Sequence, residues 1–336
     1  MPWRRRCVLA SGLAVASLGP GRPRAEEGRY VTIATGSVTG TYYPVGSLIA
    51  NLLSRPPGAR ACDEAGGCGV PSLILVVQAS KGSVANVEAI AAGQVETGFA
   101  QSDVTHGAFS GTGVFAGRPP LTGLRALASL YLESVHLVVA KDSGIARIPD
   151  LRGKRVSLDV EGSGTLVDAL LILEGFGLGP ADLQVVHATP TRALDLMVAG
   201  ELDAMFMVAG YPAAIVTEAA HGIGARLVPI VGEPVAALLK RHRFLTLADI
   251  PGDTYPGIGA GTPTLGVAAL WVVTAELDED LVYAITQALW HPDTLRKLAE
   301  GHPKGAQIQL ANALRGVSIP LHPGAARFYR EQGMAE

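Results

Sequence analysis

The chain alternates between short β-rich segments and helix-spaced apolar residues, with loops of small polar residues between them. Residues 30–35 (YVTIAT) begin the first series, and the apolar positions that follow have helical spacing. Residues 72–79 (SLILVVQA) are continuously apolar, which is typical of a strand covered by helices on both faces of a sheet. A second series begins at residue 154. The alternation predicts βαβ units with parallel strands, and its two series predict two α/β lobes.

The same spacing positions the remaining elements. The predicted strands are residues 30–35, 72–79, 96–101, 124–131, 135–141, 154–160, 183–188, 202–208, 225–231 and 264–274. The predicted helices are residues 45–53, 84–91, 165–174, 191–199, 212–220, 281–289 and 294–299. With 48% hydrophobic and 17% charged residues, the chain can bury a sizeable core, which excludes a disordered protein.

The N-terminus has the layout of a secretory signal peptide. Arg4, Arg5 and Arg6 precede a short apolar segment, and small and turn residues continue to Ala25. The apolar segment is too short to span a membrane. We therefore expect cleavage of residues 1–25 and a soluble periplasmic protein that is not itself embedded in a membrane. The formal net charge of −3 disfavours nucleic-acid binding, which usually needs a basic face.

Two cysteines lie close together in a glycine-rich loop. Cys62 and Cys68 bound the sequence CDEAGGC, and in an oxidising compartment such a pair is expected to form a disulfide. With no histidine nearby, the pair is a poor zinc site, and no metal is expected. We interpret the disulfide as a staple of this loop without a role in function.

Three loops join the end of a predicted strand to the start of a predicted helix. They are residues 36–42, 80–83 and 162–165, and all contain glycine and hydroxyl side chains. Backbone N–H groups at a helix N-terminus bind carboxylates, and glycine lets the backbone approach a ligand closely. The alternative is that these residues only cap their helices. Because ligands of α/β sheets bind beyond the carboxyl ends of strands, we expect the loops of the two series to face each other across a cleft.

Other candidate ligand-binding residues follow further predicted strands. Gln101 follows the strand at 96–101 and Tyr211 follows the strand at 202–208, where it either covers a ligand or packs in the core. Lys81 either pairs with a ligand carboxylate or is an exposed loop lysine. The predicted ligand-binding set is Ser37, Gly40, Thr41, Tyr42, Lys81, Ser83, Gln101, Ser163, Gly164, Thr165, Gly210 and Tyr211.

Signatures of common catalytic sites are missing from the sequence. The chain has no G-x-S-x-G elbow, no H-E-x-x-H, no Walker A loop and no G-x-G-x-x-G, so neither an enzyme nor a cofactor is expected. An exported esterase that uses Ser37 or Ser163 remains an alternative. Glu133 and His136 flank a predicted strand and are interpreted as a structural pair.

Seven sets of residues together resemble a known family. They are 33–37 (IATGS) with 40–44 (GTYYP), 82–87 (GSVANV), 101–103 (QSD), 151–156 (LRGKRV), 162–165 (GSGT), 203–206 (DAMF) with 210–212 (GYP), and 320–325 (PLHPGA). They occur in order and span nearly all of the mature chain. On these residues the chain resembles the TAXI-type extracytoplasmic solute receptors of TRAP transporters.

The resemblance implies a type II periplasmic binding protein, in which two α/β lobes, each a mostly parallel sheet flanked by helices, enclose a hinged cleft. It implies that a small organic acid or amino acid, glutamate-like or a dicarboxylate, is captured there and delivered to TRAP membrane permease subunits. In that topology we expect residues 26–135 and 253–336 in lobe 1 and residues 136–252 in lobe 2.

Three features depart from the family pattern. The loop with Cys62 and Cys68 is an apparent insertion near the cleft, Leu132 stands where a proline is expected, and Lys81 stands where a small residue is more usual. These departures bear on the identity of the ligand. Two other roles fit the same binding fold, a sensor that signals to a membrane kinase and the receptor of an ATP-driven importer.

Overall fold

The computed structural model describes residues 27–59 and 69–334, so the predicted signal peptide and the predicted Cys62–Cys68 disulfide lie outside the described residues. The strands are β1 (Arg29–Ala34), β2 (Ser54–Arg55), β3 (Val70–Pro71), β4 (Leu73–Gln78), β5 (Thr97–Gln101), β6 (Leu124–Val139), β7 (Arg155–Ser157), β8 (Gln184–Val186), β9 (Ala204–Ala209), β10 (Arg226–Leu227), β11 (Thr246–Ile250) and β12 (Thr262–Thr274). The helices are α1 (Tyr42–Leu53), α2 (Ser83–Ala91), α3 (Ser102–Ser110), α4 (Gly164–Gly175), α5 (Pro190–Val198), α6 (Ala214–Ile223), α7 (Glu233–Arg241), α8 (Glu279–Leu289), α9 (Pro292–Gly301) and α10 (Pro323–Glu331). Short 3-10 helices lie at Gly113–Phe115, Ile148–Leu151, Pro180–Asp182, Pro303–Gln307 and Leu310–Asn312.

One large sheet runs through the molecule in the order β4–β1–β5–β12–β6–β9–β7–β8, with β10 paired to β6 and β11 paired to β12. β1 is parallel to β4 and β5, and β7 is parallel to β8 and β9. β12 is antiparallel to β5 and β6, and β6 is antiparallel to β9. The parallel strands of the two series are therefore joined by two long antiparallel strands, and the predicted α/β class is confirmed.

The two long strands belong to both halves of the molecule. β6 has 16 residues and β12 has 13. The prediction of separate strands at 124–131 and 135–141 was wrong, because Glu133 and Ser134 keep the ladder intact opposite Val267 and Gly266. Polar residues at this point therefore do not interrupt the strand.

Glu133 and His136 do not pair, contrary to the prediction. Side chains alternate between the two faces of a strand, so residues three positions apart in β6 point in opposite directions. Glu133 accepts a hydrogen bond of 2.6 Å from the Tyr42 hydroxyl. His136 Nε2 lies 2.8 Å from the Tyr255 hydroxyl. The two side chains thus connect β6 to different parts of the molecule.

Other differences from the predicted elements have simple causes. The predicted strand at 225–231 shortens to β10, since Pro229 has no N–H group to continue a ladder. α3 was not predicted because its sequence, SDVTHGAFS, has few apolar residues at helical spacing. Among the described residues, no helix is both long and apolar enough to cross a membrane.

Each half has its own apolar core, and β12 contributes to both. Phe99 packs edge-to-face against Tyr42 and Trp271, with ring centroids 5.6 and 6.0 Å apart, in a core of the first half. Leu265 and Val267 pack instead with the apolar cluster of the second half. The chain therefore passes from one core to the other within a few residues of β12.

Candidate ligand-binding site

A cavity of about 130 Å³ lies between the loops of the two halves. The loops after β1 and β4 and the end of β5 form one side, and the loops after β7 and β8 and the end of β9 form the other. This is the carboxyl-end edge of the parallel strands, where α/β sheets bind ligands. Of the twelve predicted ligand-binding residues, the structure brings together these at the cavity: Ser37, Gly40, Thr41, Tyr42, Lys81, Ser83, Gln101, Ser163, Gly164 and Thr165.

The loop after β1 is held by its own polar groups. The N–H group of Gly40 donates to the Ser37 carbonyl at 3.0 Å, and the Ser37 and Thr39 hydroxyls are 2.9 Å apart. Thr41 precedes α1 but makes no side-chain cap there. Its hydroxyl donates to the Gly210 carbonyl at 2.7 Å. The N-terminus of α1 therefore meets the cavity without a side-chain cap, while Thr41 joins the two halves.

The N-terminus of α2 also has no side-chain cap. Gly82 just before it has a φ of 118°, in the region that favours glycine. The Ser83 hydroxyl accepts a hydrogen bond of 3.1 Å from the Gln101 N–H group. Asn86, which sequence reasoning missed, is fully buried and donates to the Thr35 carbonyl at 2.5 Å. Asn86 thereby fixes α2 to the end of β1.

The N-terminus of α4 is built differently, because a serine caps it. Ser163 Oγ accepts from the Leu166 N–H group at 3.1 Å, so capping is the role of this hydroxyl in the structure. Thr165 Oγ1 accepts from the Val208 N–H group at 3.0 Å. Gly164 faces the other half so closely that a Cβ there would overlap the Gln101 amide oxygen. Only glycine permits this approach.

Direct hydrogen bonds bridge the two halves around the cavity. The Ala85 N–H group donates to the Gly162 carbonyl at 2.9 Å. The Gln101 amide Nε2 donates to Asp168 Oδ2 at 3.1 Å. Together with the Thr41–Gly210 bond, these contacts give the cleft a closed arrangement.

Gly210 and Tyr211 are not among the residues that line the cavity. The Tyr211 ring lies 3.5 Å from Nζ of Lys304, in cation–π geometry. Lys304 is buried, and its Nζ also donates to the Leu132 carbonyl at 2.9 Å and to Gln307 at 3.1 Å. Sequence reasoning missed Lys304 because it lies far along the chain from the glycine-rich loops.

Residues 33–333 match the model of the NMT1-like family. The chain belongs to the NMT1-like family. A protein of known structure from Bordetella bronchiseptica RB50 is 15% identical, with a TM-score of 0.51 over 90% of this chain and 88% of that chain. The alkanesulfonate-binding protein SsuA from Xanthomonas axonopodis pv. citri, solved with MOPS, is 17% identical, with a TM-score of 0.47 over 93% of this chain and 96% of that chain. At such identities a likeness concerns the fold alone.

The cavity of this NMT1-like protein is also lined by two carboxyl groups, those of Glu133 and Asp159. Sequence reasoning did not select either as a ligand-binding residue. Burial raises the pKa of Glu133 to about 8, although the Tyr42 hydrogen bond and the positive charge of Lys304 oppose that rise. Burial also raises the pKa of Asp159 to about 6. Burial lowers the pKa of Lys304 to about 8, against the effect of Glu133. The cavity therefore holds acids that keep protons at unusually high pH.

Asp159 is held in an unusual backbone conformation at the end of β7. Its φ is 70°, which is uncommon for a residue other than glycine. Its carboxylate accepts from the Val160 N–H group at 2.8 Å, a local bond that helps aspartate adopt this conformation. Strained residues of this kind concentrate at active sites and ligand-binding sites of proteins in general. Asp159 lies within the predicted strand at 154–160, so nothing in the sequence marked it as a cavity residue.

Lys81 lies at the rim of the cavity of this NMT1-like protein. Its side chain is exposed and passes over Gly162, so both of its predicted roles stay open. Within the described parts of the chain, no group of three or more His, Cys, Asp and Glu residues is arranged to hold a metal ion.

Proposed function

We propose that this protein is the extracytoplasmic receptor of a TAXI-type TRAP transporter. It captures a small organic acid or amino acid, glutamate-like or a dicarboxylate, between its two lobes and delivers it to the membrane permease. Membership of the NMT1-like family supports a solute-binding role, and the ordered motifs of the sequence favour the TAXI type. Hinge closure around a ligand is the common switch of such receptors.

One observation carries the proposal more than any other. The N-termini of α1, α2 and α4 converge on one cavity between the two halves, and the first two have no side-chain cap. Helix N-termini bind anions through their backbone N–H groups and the helix dipole. A ligand carboxylate in the cavity could accept hydrogen bonds from these N–H groups, so its binding would not require a buried arginine.

The acids of the cavity agree with an amino acid or a protonated acid as the ligand. Glu133 and Asp159 contribute oxygen atoms to a lining that already offers N–H donors. An ammonium or a protonated carboxyl group of the ligand would donate to these oxygens. A ligand with donors at one end and a carboxylate at the other therefore suits the cavity better than an anion alone.

The lobes that we propose are residues 26–135 with 253–336, and residues 136–252. Tyr255 and Leu265 pack with apolar clusters of the second half. This packing favours a lobe boundary later than residue 253, so that the chain returns to lobe 1 within β12. Gly266 lies at that point, and a Cβ there would be 2.6 Å from the Glu133 carbonyl of β6. We therefore propose a hinge where β6 and β12 run side by side.

Export and delivery complete the proposal. The predicted signal peptide of residues 1–25 sends the chain to the periplasm, where Cys62 and Cys68 are expected to form their disulfide. Neighbouring permease genes of the TRAP type would support this transporter class. Neighbouring genes for an ATP-driven importer or a membrane kinase would instead support the corresponding receptor.

A thermal-shift screen tests the proposal. The mature protein, freed of co-purified ligand, is scanned with L-glutamate, succinate, 2-oxoglutarate and glucose. A ligand at about 100 times its Kd adds about 2.7 kcal/mol, which corresponds to a Tm rise of about 5–10 °C in a chain of this size. We expect such a rise with one of the acids and none with glucose.

Two serine variants serve as a matched pair in that screen. Ser37→Ala removes a hydroxyl at the cavity, whereas Ser110→Ala removes an exposed hydroxyl at the end of α3. We expect a smaller Tm rise in the first variant and an unchanged rise in the second. No Tm rise with any acid, in folded protein, contradicts the proposal.

A further inference from the structure

Three acidic side chains from different elements come close together at the cavity, and one of them, Glu133, lines it. Asp103 lies on α3 and Glu133 on β6, both in the first half, whereas Asp168 lies on α4 in the second half. Their exposed fractions are 6%, 2% and 0%. We call these three residues the acid floor. The Gln101 amide donates a hydrogen bond to Asp168 at 3.1 Å and so links the first half of the molecule to the acid of the second half.

Three of the six carboxyl oxygen atoms of the acid floor are buried without a hydrogen-bond partner among the residues that the structure describes. Within the described residues, neither oxygen of Asp103 nor Oδ1 of Asp168 has one. The neighbouring Gln101 Oε1 and Ser102 Oγ are also buried without partners. A buried carboxylate without donors carries a large desolvation cost as an anion, which a bound proton removes.

Positive charge does little to offset these acids. The positive charge of Lys304 lowers the pKa of Glu133. Its Nζ already donates hydrogen bonds to the Leu132 carbonyl and to Gln307, and it lies over the Tyr211 ring. In the described part of the chain, no cluster of acids is arranged to hold a metal ion. A proton is therefore the simplest cation that can occupy the acid floor.

The other titratable groups around the floor add no positive charge. The hydroxyl of Tyr42 on α1 donates to Glu133, and Tyr131 of β6 lies near the same carboxylate. The backbone N–H groups of Asp103 and Val104 oppose a rise in the pKa of Asp103, although they lie outside hydrogen-bond geometry with its oxygens. Burial outweighs that effect and raises the pKa of Asp103 to about 6. Burial, together with the charges of Asp103 and Glu133, raises the pKa of Asp168 well above its ordinary value.

We propose that closure of the cleft takes up a proton at Asp103 and Asp168, so that acid pH favours the closed form. The inference rests on the hinge closure of the proposed function. Opening would move Asp168 with the second half, away from Asp103 and Glu133, and would return both aspartates to water. The proton would come from bulk water on closure and return to it on opening.

The sign of the effect follows from the raised pKa values. An acid whose pKa is higher in the closed form binds its proton more tightly there, so the closed form gains stability as the pH falls through that value. Each proton taken up changes the ratio of closed to open molecules by about tenfold per pH unit, between the open-form and closed-form pKa values. For Asp103 that interval runs from its ordinary range up to about 6, and for Asp168 it extends higher.

Small-angle X-ray scattering of the ligand-free mature protein tests this inference. The radius of gyration is measured at about pH 5 and about pH 8.5 for the wild type, Asp168→Asn and Asp195→Asn. Asp195 is an exposed aspartate on α5 of the same half and serves as the matched control. We expect the wild type and the control to be more compact at the lower pH. In Asp168→Asn, which mimics the neutral acid, only Asp103 of the pair is left to titrate, so the variant should expand less than the wild type at the higher pH.

Equal radii for the wild type at both pH values would overturn the inference, as would an Asp168→Asn variant that expands like the wild type. Asp103→Asn gives the same test if Asp168→Asn does not fold. Because no ligand is added, the outcome is independent of which solute the protein binds. A failed ligand screen with a pH-dependent radius would contradict the proposed function and leave proton-linked closure standing.

Discussion

The rim and the floor of the cleft differ in how their polar groups are satisfied. The rim consists of the loops at 36–42, 80–83 and 162–165, where Ser163 caps α4 and Ser37 bonds within its own loop. The floor consists of Asp103, Glu133 and Asp168, which come from both halves and leave several oxygens without partners. Several rim hydrogen bonds are local, although Thr41–Gly210 and Ala85–Gly162 cross between the halves, whereas the floor combines acids of both halves.

The difference separates two properties of the site. Because bonds such as Ser37–Thr39 and Ser163–Leu166 lie within one half, we expect the rim loops to present N–H groups to a ligand before closure. The floor exists only in the closed form, so its protonation reports closure. Variants at the rim should therefore change ligand affinity or local stability, and variants at the floor should change the pH dependence of closure.

The largest expected effect is that of Gly164→Ala, at the point where the rim touches the other half. A Cβ at this position overlaps the Gln101 amide oxygen, whereas a Cβ at Gly222 in α6 meets open space. Overpacking of this kind costs about 1–3 kcal/mol in the closed form, so we expect ligand binding to be weaker by about 5- to 150-fold.

Isothermal titration with the acid that gives the largest thermal shift measures this loss, with Gly222→Ala as the control of the same size. Unchanged affinity in Gly164→Ala would mean that ligand binding does not require the closed contact between Gly164 and Gln101.

Tyr42→Phe sharpens the comparison at the floor. The variant leaves the buried Glu133 carboxylate without its 2.6 Å hydrogen bond, and we expect a loss of about 1–3 kcal/mol in the free energy of unfolding. Tyr283→Phe removes a bond of the same length to Glu331 at the exposed surface and should change stability little. Denaturant titration compares the two variants. Equal losses would contradict the assigned burial of the Tyr42–Glu133 pair.

Stability should fall as the pH rises through the raised pKa values of the cleft acids. Burial raises the pKa of Asp103 and of Asp159 to about 6 and that of Glu133 to about 8, so their contributions are present at low pH and are lost as the pH rises from the ordinary carboxyl range to about 6 for the aspartates and to about 8 for Glu133. Denaturant titration across this range measures the slope, which should be shallower in Glu133→Gln. An identical slope in the wild type and the variant would show that the pKa of Glu133 is not raised in the folded protein.

Ser163→Ala has the smallest expected effect. The variant removes the cap that Ser163 Oγ provides to the Leu166 N–H group, at a cost of about 1 kcal/mol in the free energy of unfolding. The capped loop at α4 should otherwise keep its shape. A loss of ligand binding well beyond this cost would mean that the Ser163 hydroxyl contacts the ligand rather than only the helix.

Local chemistry explains what the sequence predicted well. The alternation of strands and helices, the carboxyl-end loops and the cap at Ser163 depend on residues that lie close together along the chain. The continuity of β6 through Glu133 was not predictable in this way, because it depends on pairing with β12, more than a hundred residues away.

The acid floor was missed for the same physical reason. Asp103 follows Gln101 in a motif that was recognised, but its burial depends on Asp168 and α4 of the other half. Lys304 likewise reaches the site from a short helix near the C-terminus. Such residues carry no local pattern, and only the folded chain brings them together.

A distance measurement across the cleft tests the central claim most directly. Spin labels at Gln94→Cys in the first half and Asp195→Cys in the second are measured with and without each compound of the thermal-shift panel. The account predicts that an acid that raises Tm also changes the label-to-label distance to a single closed value, and that glucose does not. An unchanged distance with every acid, including any that raises Tm, would contradict capture by closure.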